Sequence, residues 1–157
     1  MINDIFRSSR VAASGLKAGR TWMNTISNNL ANMNSVDTGK KAKDGNYVPY
    51  AREVPVFAKV LSEEFRRSKV NGNVVNGVEV KRVAHLDDNV RKVYDPSHPA
   101  ARRAGTQDAG YVYYPNVSVA QEMSDMRMAA AFYEANLSVI AISKQMTEQA
   151  LSISRRA

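Results

Sequence analysis

The sequence predicts an α+β fold in which long N- and C-terminal helices pair as a coiled-coil-like bundle, with a small β-rich unit inserted between them. Apolar residues near both ends of the 157-residue chain recur at alternating steps of three and four, a spacing typical of helices that pair along a seam. All five prolines and most glycines fall between these regions, which indicates strands and turns there. We therefore predict a helix in 1–34, a loop and β-rich middle unit in 35–116, and a helix in 117–157.

The N-terminal helix is predicted to run from about Asp4 to Leu30. Gly15 and Gly19 leave room for close approach of a second helix. The helix ends in a run of Asn and Ser, which compete for backbone hydrogen bonds and are poor in helix interiors. We expect these side chains to bond the backbone where it leaves the helix. The predicted seam comprises Ile5, Ser9, Ala12, Leu16, Gly19, Met23, Ile26, Leu30 and Met33.

The middle of the chain is predicted to contain short strands separated by polar loops. Residues 47–60 are β-rich in composition, but Pro49 and Pro55 restrict them to an edge strand or two short extended pieces. Residues 61–70 are charged and predict a loop or a short helical turn. Further strands are expected around 78–83, 91–94 and 111–114.

The C-terminal helix carries two apolar stripes, and Ser118 with Gln121 supplies a capping box at its start. The first stripe is predicted to pair with the N-terminal helix. The second is offset by two residues, about 200° around a helix, and so lies on roughly the opposite side. The first contains Val119, Met123, Met126, Ala130, Tyr133, Leu137, Ile140, Lys144, Thr147, Leu151 and Ser154. The second contains Met128, Phe132, Ala135, Val139, Ile142, Met146, Gln149 and Ile153.

Two stripes on one helix predict assembly with other chains. Pairing within the chain uses one face of each helix, and the second stripe would leave a long apolar patch on a free monomer. The alternative is that the two helices simply form the core of a monomer. The residues predicted to lie in assembly interfaces are Leu16, Met23, Ile26, Leu30, Met126, Phe132, Tyr133, Leu137, Val139, Ile140, Ile142 and Leu151.

Composition and motifs exclude several classes of protein. The chain has no cysteine, so disulfides and thiolate metal sites are excluded. The longest uncharged stretch near the C-terminus, 135–143, is far shorter than a bilayer span. The N-terminal residues lack the continuous apolar region of a cleaved secretory signal, so no such signal is expected. His85 and His98 are the only histidines and lack metal-ligand spacing, and the Asp87-Asp88 pair is expected to be solvated. We therefore predict no catalytic, metal or cofactor-binding residues.

The net charge of +7 leaves an alternative function open, a basic coiled-coil adaptor that binds nucleic acid or an anionic surface. The positive charge is spread along the chain. Its one tight cluster, 66–69, directly follows Glu63 and Glu64 and is interpreted as a solvated face. Tyr111, Tyr113 and Tyr114 could stack bases, although tyrosines in such a strand are more often core and sheet-surface residues. An enzyme is the third hypothesis, and it would require a polar pocket with perturbed carboxylates.

Short motifs along nearly the whole chain resemble those of one protein family. They are Ala13-Ser14-Gly15-Leu16 with 26–32 (ISNNLAN), Tyr50-Ala51-Arg52, 93–99 (VYDPSHP) with 110–117 (GYVYYPNV), and Glu122-Met123 with 133–136 (YEAN). Together they are similar to motifs of the flagellar axial proteins, the rod and hook subunits of the bacterial flagellum, and most of all to those of proximal-rod subunits.

The resemblance implies a structural protein without enzyme activity or cofactor. Such subunits are exported by the flagellar type III apparatus through an uncleaved N-terminal signal. They then stack helically into the rod, the drive shaft of the basal body that crosses the periplasm. The implied partners are further copies of the chain, other proximal- and distal-rod subunits, the rod-base adapter or export gate, and the MS ring. No nucleic acid and no membrane insertion are implied, and the termini are expected to be disordered before assembly.

Overall fold

The computed structural model describes residues 2–42, 45–60, 77–86, 90–103, 105 and 108–154. In this part of the chain two terminal helices flank short β-strands, which confirms the predicted α+β class. The helices are α1 (Ile2–Ala31) and α2 (Val119–Ser154), and the strands are β1 (Arg52–Lys59), β2 (Val78–Leu86), β3 (Val90–Tyr94) and β4 (Tyr111–Pro115).

Helix α1 ends as its composition predicts. The Asn32 N–H donates to the Asn28 carbonyl, and the Asn32 side-chain amide donates to the same carbonyl at 3.0 Å. The Ser35 N–H then donates to the Asn32 carbonyl, while the Ser35 hydroxyl donates to Asn32 Oδ1 at 3.1 Å. The polar run therefore satisfies backbone groups that the helix leaves unpaired at its end.

Helix α2 begins after Ser118, as predicted, with one of the two contacts of the predicted capping box. The Gln121 N–H lies 3.5 Å from Ser118 Oγ, and the Glu122 N–H donates to the Ser118 carbonyl at 2.9 Å. Hydroxyl groups inside the helix bond to the preceding turn, since Ser143 donates to the Val139 carbonyl and Thr147 to the Ser143 carbonyl. These bonds let α2 carry polar residues on its inner face without leaving a buried hydroxyl unpaired.

The strands form two-stranded sheets, β1 with β2 and β3 with β4. In the second sheet the strands are antiparallel, with Val90 opposite Pro115 and Tyr94 opposite Tyr111. Strand β1 is continuous through Pro55, which a strand at a sheet edge tolerates. It starts at Arg52 rather than near residue 47, where a single bridge joins Lys41 and Tyr47. The segment predicted in 61–70 lies outside the described residues.

Contacts within the chain define two compact units, and each helix passes through both. Unit 1 comprises Met1–Met23, Pro55–Arg82 and Met126–Ala157, and unit 2 comprises Asn24–Val54 and Val83–Asp125. In unit 1, Trp22 of α1 packs edge-on against Phe57 of β1 with ring centroids 5.7 Å apart. The Val78 N–H at the start of β2 donates to Ser14 Oγ at 3.1 Å. Both strands of the first sheet are therefore attached to α1.

The two helices contact each other in unit 1 along small residues and run antiparallel. The Ser8 and Ser143 hydroxyls are hydrogen-bonded at 3.1 Å, Gly15 faces the Asn136 amide, and Gly19 faces the ring of Phe132. Moving forward along α1 thus corresponds to moving backward along α2. Because Gly15 and Gly19 have no side chains, α1 leaves room there for Asn136 and Phe132 of α2.

The predicted seam of α2 is correct at every second position and displaced by one residue at the others. Met126, Ala130, Tyr133, Ile140 and Thr147 are partly buried as predicted. The remaining inward positions are the small or polar Glu122, Ala129, Asn136, Ser143 and Ala150, whereas the predicted Val119, Met123, Leu137, Lys144 and Leu151 are exposed. The prediction chose the most apolar residues, but closest helix approach requires the shortest ones, and large side chains lie beside that line.

The close approach at Gly15 makes a testable prediction. A Cβ at this position would lie 2.5 Å from Asn136 Oδ1 and 2.8 Å from Asn136 Cγ. Gly15→Ala would gain about 1 kcal/mol in helix propensity, but displacing the packed amide costs about 1–3 kcal/mol. We expect a net loss of roughly 1 kcal/mol in urea unfolding, recovered in the Gly15→Ala/Asn136→Ala double variant. A Gly15→Ala variant as stable as wild type would show that Asn136 moves away at little cost.

Candidate functional site

Unit 2 contains a buried cluster of polar residues where the end of α1, the start of β1 and the start of α2 meet. We call Asn29, Tyr50, Arg52, Glu53 and Glu122 the polar junction. Asn29 is 1% exposed and Glu122 is fully buried. Buried polar groups are costly unless each finds a hydrogen-bond partner, so the bonding of these two residues decides whether the cluster is stable.

Asn29 uses all four hydrogen-bonding positions of its side-chain amide. Its Nδ2 donates to the Glu53 carbonyl at 2.9 Å and to Glu122 Oε2 at 3.2 Å. Its Oδ1 accepts from the Glu53 N–H at 2.8 Å and from the Tyr50 hydroxyl at 3.0 Å. Two donors and two acceptor lone pairs are all that the amide offers. Asn29 therefore ties α1 to both the backbone of β1 and the side chain of α2.

Glu122 is held by a cation as well as by Asn29. Arg52 Nε and Nη2 both lie 2.7 Å from Glu122 Oε1, and Arg52 Nη2 also lies 3.6 Å from Asp125 Oδ2. The Arg52 side chain is only 16% exposed. A carboxylate that is completely removed from water needs such a partner, because an unpaired buried charge is strongly destabilising.

Tyr50 of the polar junction should make the stability of the protein sensitive to alkaline pH. Burial first, and then the charges of Glu53 and Glu122, raise the pKa of Tyr50 from 10.0 to about 12. A phenol whose pKa is raised on folding stabilises the native state below its unfolded pKa, and the contribution is lost as the pH rises through the folded pKa. We expect wild-type stability to fall more steeply between pH 10 and 12 than that of Tyr50→Phe.

Urea unfolding at several pH values in this range measures the difference. The control variant Tyr47→Phe retains Tyr50 and should show the steeper decline of the wild type. Equal pH dependence of Tyr50→Phe and Tyr47→Phe would show that the Tyr50 hydroxyl does not sense the junction carboxylates.

A second feature lies on α2, where large apolar side chains are exposed along the helix. We call them the apolar stripe. Their exposed fractions range from 37% at Phe132 to 69% at Ile153. Met128, Val139, Ile142, Met146 and Ile153 are exposed in the single chain, whereas the ring of Phe132 also faces Gly19 of α1. The apolar stripe comprises Met128, Phe132, Val139, Ile142, Met146 and Ile153.

The residues predicted for assembly interfaces differ in how much surface they expose. Ile26 is 2% exposed and packs inside the chain. Six are partly buried, namely Leu16, Met23, Leu30, Met126, Tyr133 and Ile140. Five are exposed, namely Phe132, Leu137, Val139, Ile142 and Leu151. Only the partly buried and exposed residues offer surface to another molecule.

Basic residues of the β3–β4 hairpin contact tyrosine rings within unit 2. Arg91 lies 5.5 Å from the ring centre of Tyr114, and Lys92 and Arg102 lie 5.1 Å and 3.9 Å from that of Tyr113. Such cation–π contacts stabilise the hairpin itself. Arg91, Lys92 and Arg102 are thus engaged within the hairpin. The basic cluster 66–69 and the Asp87-Asp88 pair lie outside the described residues.

The described residues contain no group of three or more His, Cys, Asp or Glu that could hold a metal ion. Over the same residues, no helix is long and apolar enough to cross a membrane. His85 Nδ1 lies 4.0 Å from Glu53 Oε1, and its side chain is mostly exposed.

The regions that form the two terminal helices each match the sequence model of a known protein family. Residues 10–37 match the family described as "Flagella basal body rod protein", and residues 108–153 match "Flagellar basal body rod FlgEFG protein C-terminal". The first match covers most of α1 with Asn29, and the second covers most of α2 with Glu122. The chain is thereby one of the flagellar basal-body rod proteins.

Full-length relatives define the particular family. The flagellar basal-body rod protein FlgC of Bacillus subtilis (strain 168) is 36% identical over 96% of this chain and 98% of its own length. FlgC of Aquifex aeolicus (strain VF5) is 37% identical over 93% of this chain and 94% of its own. FlgC of Borreliella burgdorferi is 34% identical over 95% and 97%. The chain belongs to the FlgC family.

The polar junction was not predicted as a site from the sequence. Asn29, Tyr50, Arg52 and Glu122 appear in the sequence only as members of separate motifs. One available signal was the position of Glu122, which stands four residues before Met126 and seven before Ala129 on the inward side of α2. A carboxylate at such a position predicts a buried cation partner, although the pattern does not say which one.

Proposed function

We propose that this chain is a structural subunit of the flagellar rod and that it assembles with further copies and with other rod proteins through its terminal helices. The observation that carries the proposal is the apolar stripe, which is exposed along α2 in the single chain. Membership of a family of basal-body rod proteins supports it. Exposed apolar patches of this kind mark surfaces that bind other proteins.

The proposed mechanism is burial of the apolar stripe between neighbouring subunits. Fully burying a Leu, Ile or Met side chain contributes about 1.5–3 kcal/mol, so several residues along one helix suffice for a stable contact. A contact between two different surfaces of identical subunits propagates as a helix when the rotation does not close. The pairing of α1 and α2 in a coiled-coil-like manner would stiffen each subunit, and 1–34 with 117–157 would act as the assembling part.

We place the subunit in the proximal rod, in the periplasm, after export through the flagellar type III apparatus. The partners would be other proximal- and distal-rod proteins, the rod-base adapter or export gate, and the MS ring, and we expect no catalytic activity. The absence of cysteine supports export in an unfolded state, because no disulfide could form before or during passage.

Deletion of the gene in the source bacterium tests the proposal. The deletion strain should not swim and should lack completed rods, and an epitope-tagged copy of the chain should restore swimming and co-purify with basal bodies. A deletion strain that swims normally and has complete basal bodies would overturn the proposal.

A further inference from the structure

We infer that the polar junction sets the register in which α1 and α2 pair. Asn29, Arg52 and Glu122 would act as positioning residues that select one alignment of the two helices among several that their small inner residues permit. This inference concerns the fold of the single chain and does not depend on the proposed function.

Packing along the contact line opposes one shift of the helices more strongly than the other. Gly15 and Gly19 of α1 face the side chains of Asn136 and Phe132 of α2, and the small residues Ala129 and Ser143 are buried farther along α2. If one helix moved by seven residues along the other, Gly15 would face Ser143 or Ala129 instead of Asn136. Both replacements are small enough to fit. Phe132 would then face Ile26 or Ala12 instead of Gly19, so packing opposes the first shift and discriminates only weakly against the second.

The polar junction discriminates strongly between them. The observed contacts Ser8–Ser143, Gly15–Asn136 and Asn29–Glu122 follow one register, because each step forward on α1 is matched by an equal step back on α2. A shift of seven residues in one direction would place Asn29 opposite Ala129. A shift in the other direction would place Glu122 opposite Trp22. Either shift leaves a buried amide or carboxylate without its partner.

Strand β1 strengthens this selection. Asn29 receives the Glu53 N–H and donates to the Glu53 carbonyl, while Arg52 of the same strand bonds Glu122. All three elements must therefore meet in one arrangement for these bonds to form together. A single buried Asn can specify the register of a coiled coil, and buried ionic groups can supply conformational specificity without adding stability.

Engineered cysteines can measure the register, because the chain has none of its own. The Ser8 and Ser143 Oγ atoms lie 3.1 Å apart, so Ser8→Cys with Ser143→Cys should form a disulfide in the observed register. Ser8→Cys with Ala150→Cys, and Ser8→Cys with Asn136→Cys, report a shift of seven residues in either direction. Full-length protein is oxidised under mild conditions, and the cross-linked fraction is read from gel mobility.

The decisive variant replaces the junction by apolar residues, Asn29→Leu with Arg52→Leu and Glu122→Leu. Apolar replacement of a complete buried ionic group commonly leaves a protein folded, so circular dichroism should remain helical. We expect the cysteine pair at positions 8 and 136 to cross-link at least about tenfold more than in the parent protein, because no buried group of the polar junction then opposes that shift. The matched control, Lys144→Leu with Glu148→Leu, removes an exposed ion pair of α2 and should keep the parent register.

Cross-linking of the apolar variant only through positions 8 and 143 would overturn the inference, since the small residues would then set the register themselves. A second variant, Arg52→Leu with Glu122→Leu, removes both members of the ion pair and should behave in the same way. Loss of helical structure in both apolar variants would also overturn the inference, because the junction would then be required for folding in any register.

Discussion

Arg52→Ala should lower the free energy of unfolding by about 3–5 kcal/mol, the cost of removing one partner of a buried ion pair. Glu122 would stay fully buried, and Asn29 would be its one remaining partner in the polar junction. Urea unfolding followed by circular dichroism at neutral pH measures the loss. It should be the largest effect of any single substitution at a polar residue discussed here.

Two further variants make this expectation specific. Lys144→Ala removes a cation whose contact with Glu148 is 3.9 Å long and largely exposed, so it should change stability by no more than about 0.5 kcal/mol. Arg52→Ala combined with Glu122→Ala should cost less than the two single losses added together, because the second substitution removes the stranded charge. An Arg52→Ala protein within about 1 kcal/mol of wild type would show that Glu122 does not depend on its cation.

Long-range polar contacts of this kind could not be predicted from the sequence. Asn29 and Glu122 are 93 positions apart, and Arg52 and Glu122 are 70 apart. No local pattern encodes which distant cation will meet a given carboxylate. The helices could be predicted because a heptad pattern repeated over thirty or more residues is a local property of the chain.

Errors in the prediction arose where packing and hydrogen bonding compete with hydrophobicity. Leu137 was predicted to lie in the seam but is 46% exposed, because Asn136 occupies the line of closest approach opposite Gly15. Strand β1 starts late for a similar reason. The Tyr50 N–H bonds the Ser35 carbonyl and its hydroxyl bonds Asn29, so the chain before Arg52 follows the end of α1 rather than a neighbouring strand.

Substitution of Val139, Ile142 and Met146 by Ser, Gln and Gln should prevent incorporation of the subunit into basal bodies while leaving the free chain folded. These side chains are 41–56% exposed, so the substitutions remove little buried surface and should keep or improve thermal stability. Phe132 is left unchanged because its ring faces Gly19. If the three residues become buried between subunits, their loss should reduce incorporation by at least about tenfold. Immunoblots of purified basal bodies measure incorporation, and secretion assays establish that the variant is still exported.

The matched control changes three exposed polar residues on another stripe of the same helix, Glu134→Gln, Ser138→Gln and Gln145→Ser. Their spacing of four and seven residues places them on one side of α2, roughly 100° away from the apolar stripe. The control protein should enter basal bodies at the wild-type level. Wild-type incorporation of the Val139, Ile142 and Met146 variant would instead mean that the apolar stripe stays in contact with solvent in the rod. The subunit contacts would then have to be made by α1 or by the strands.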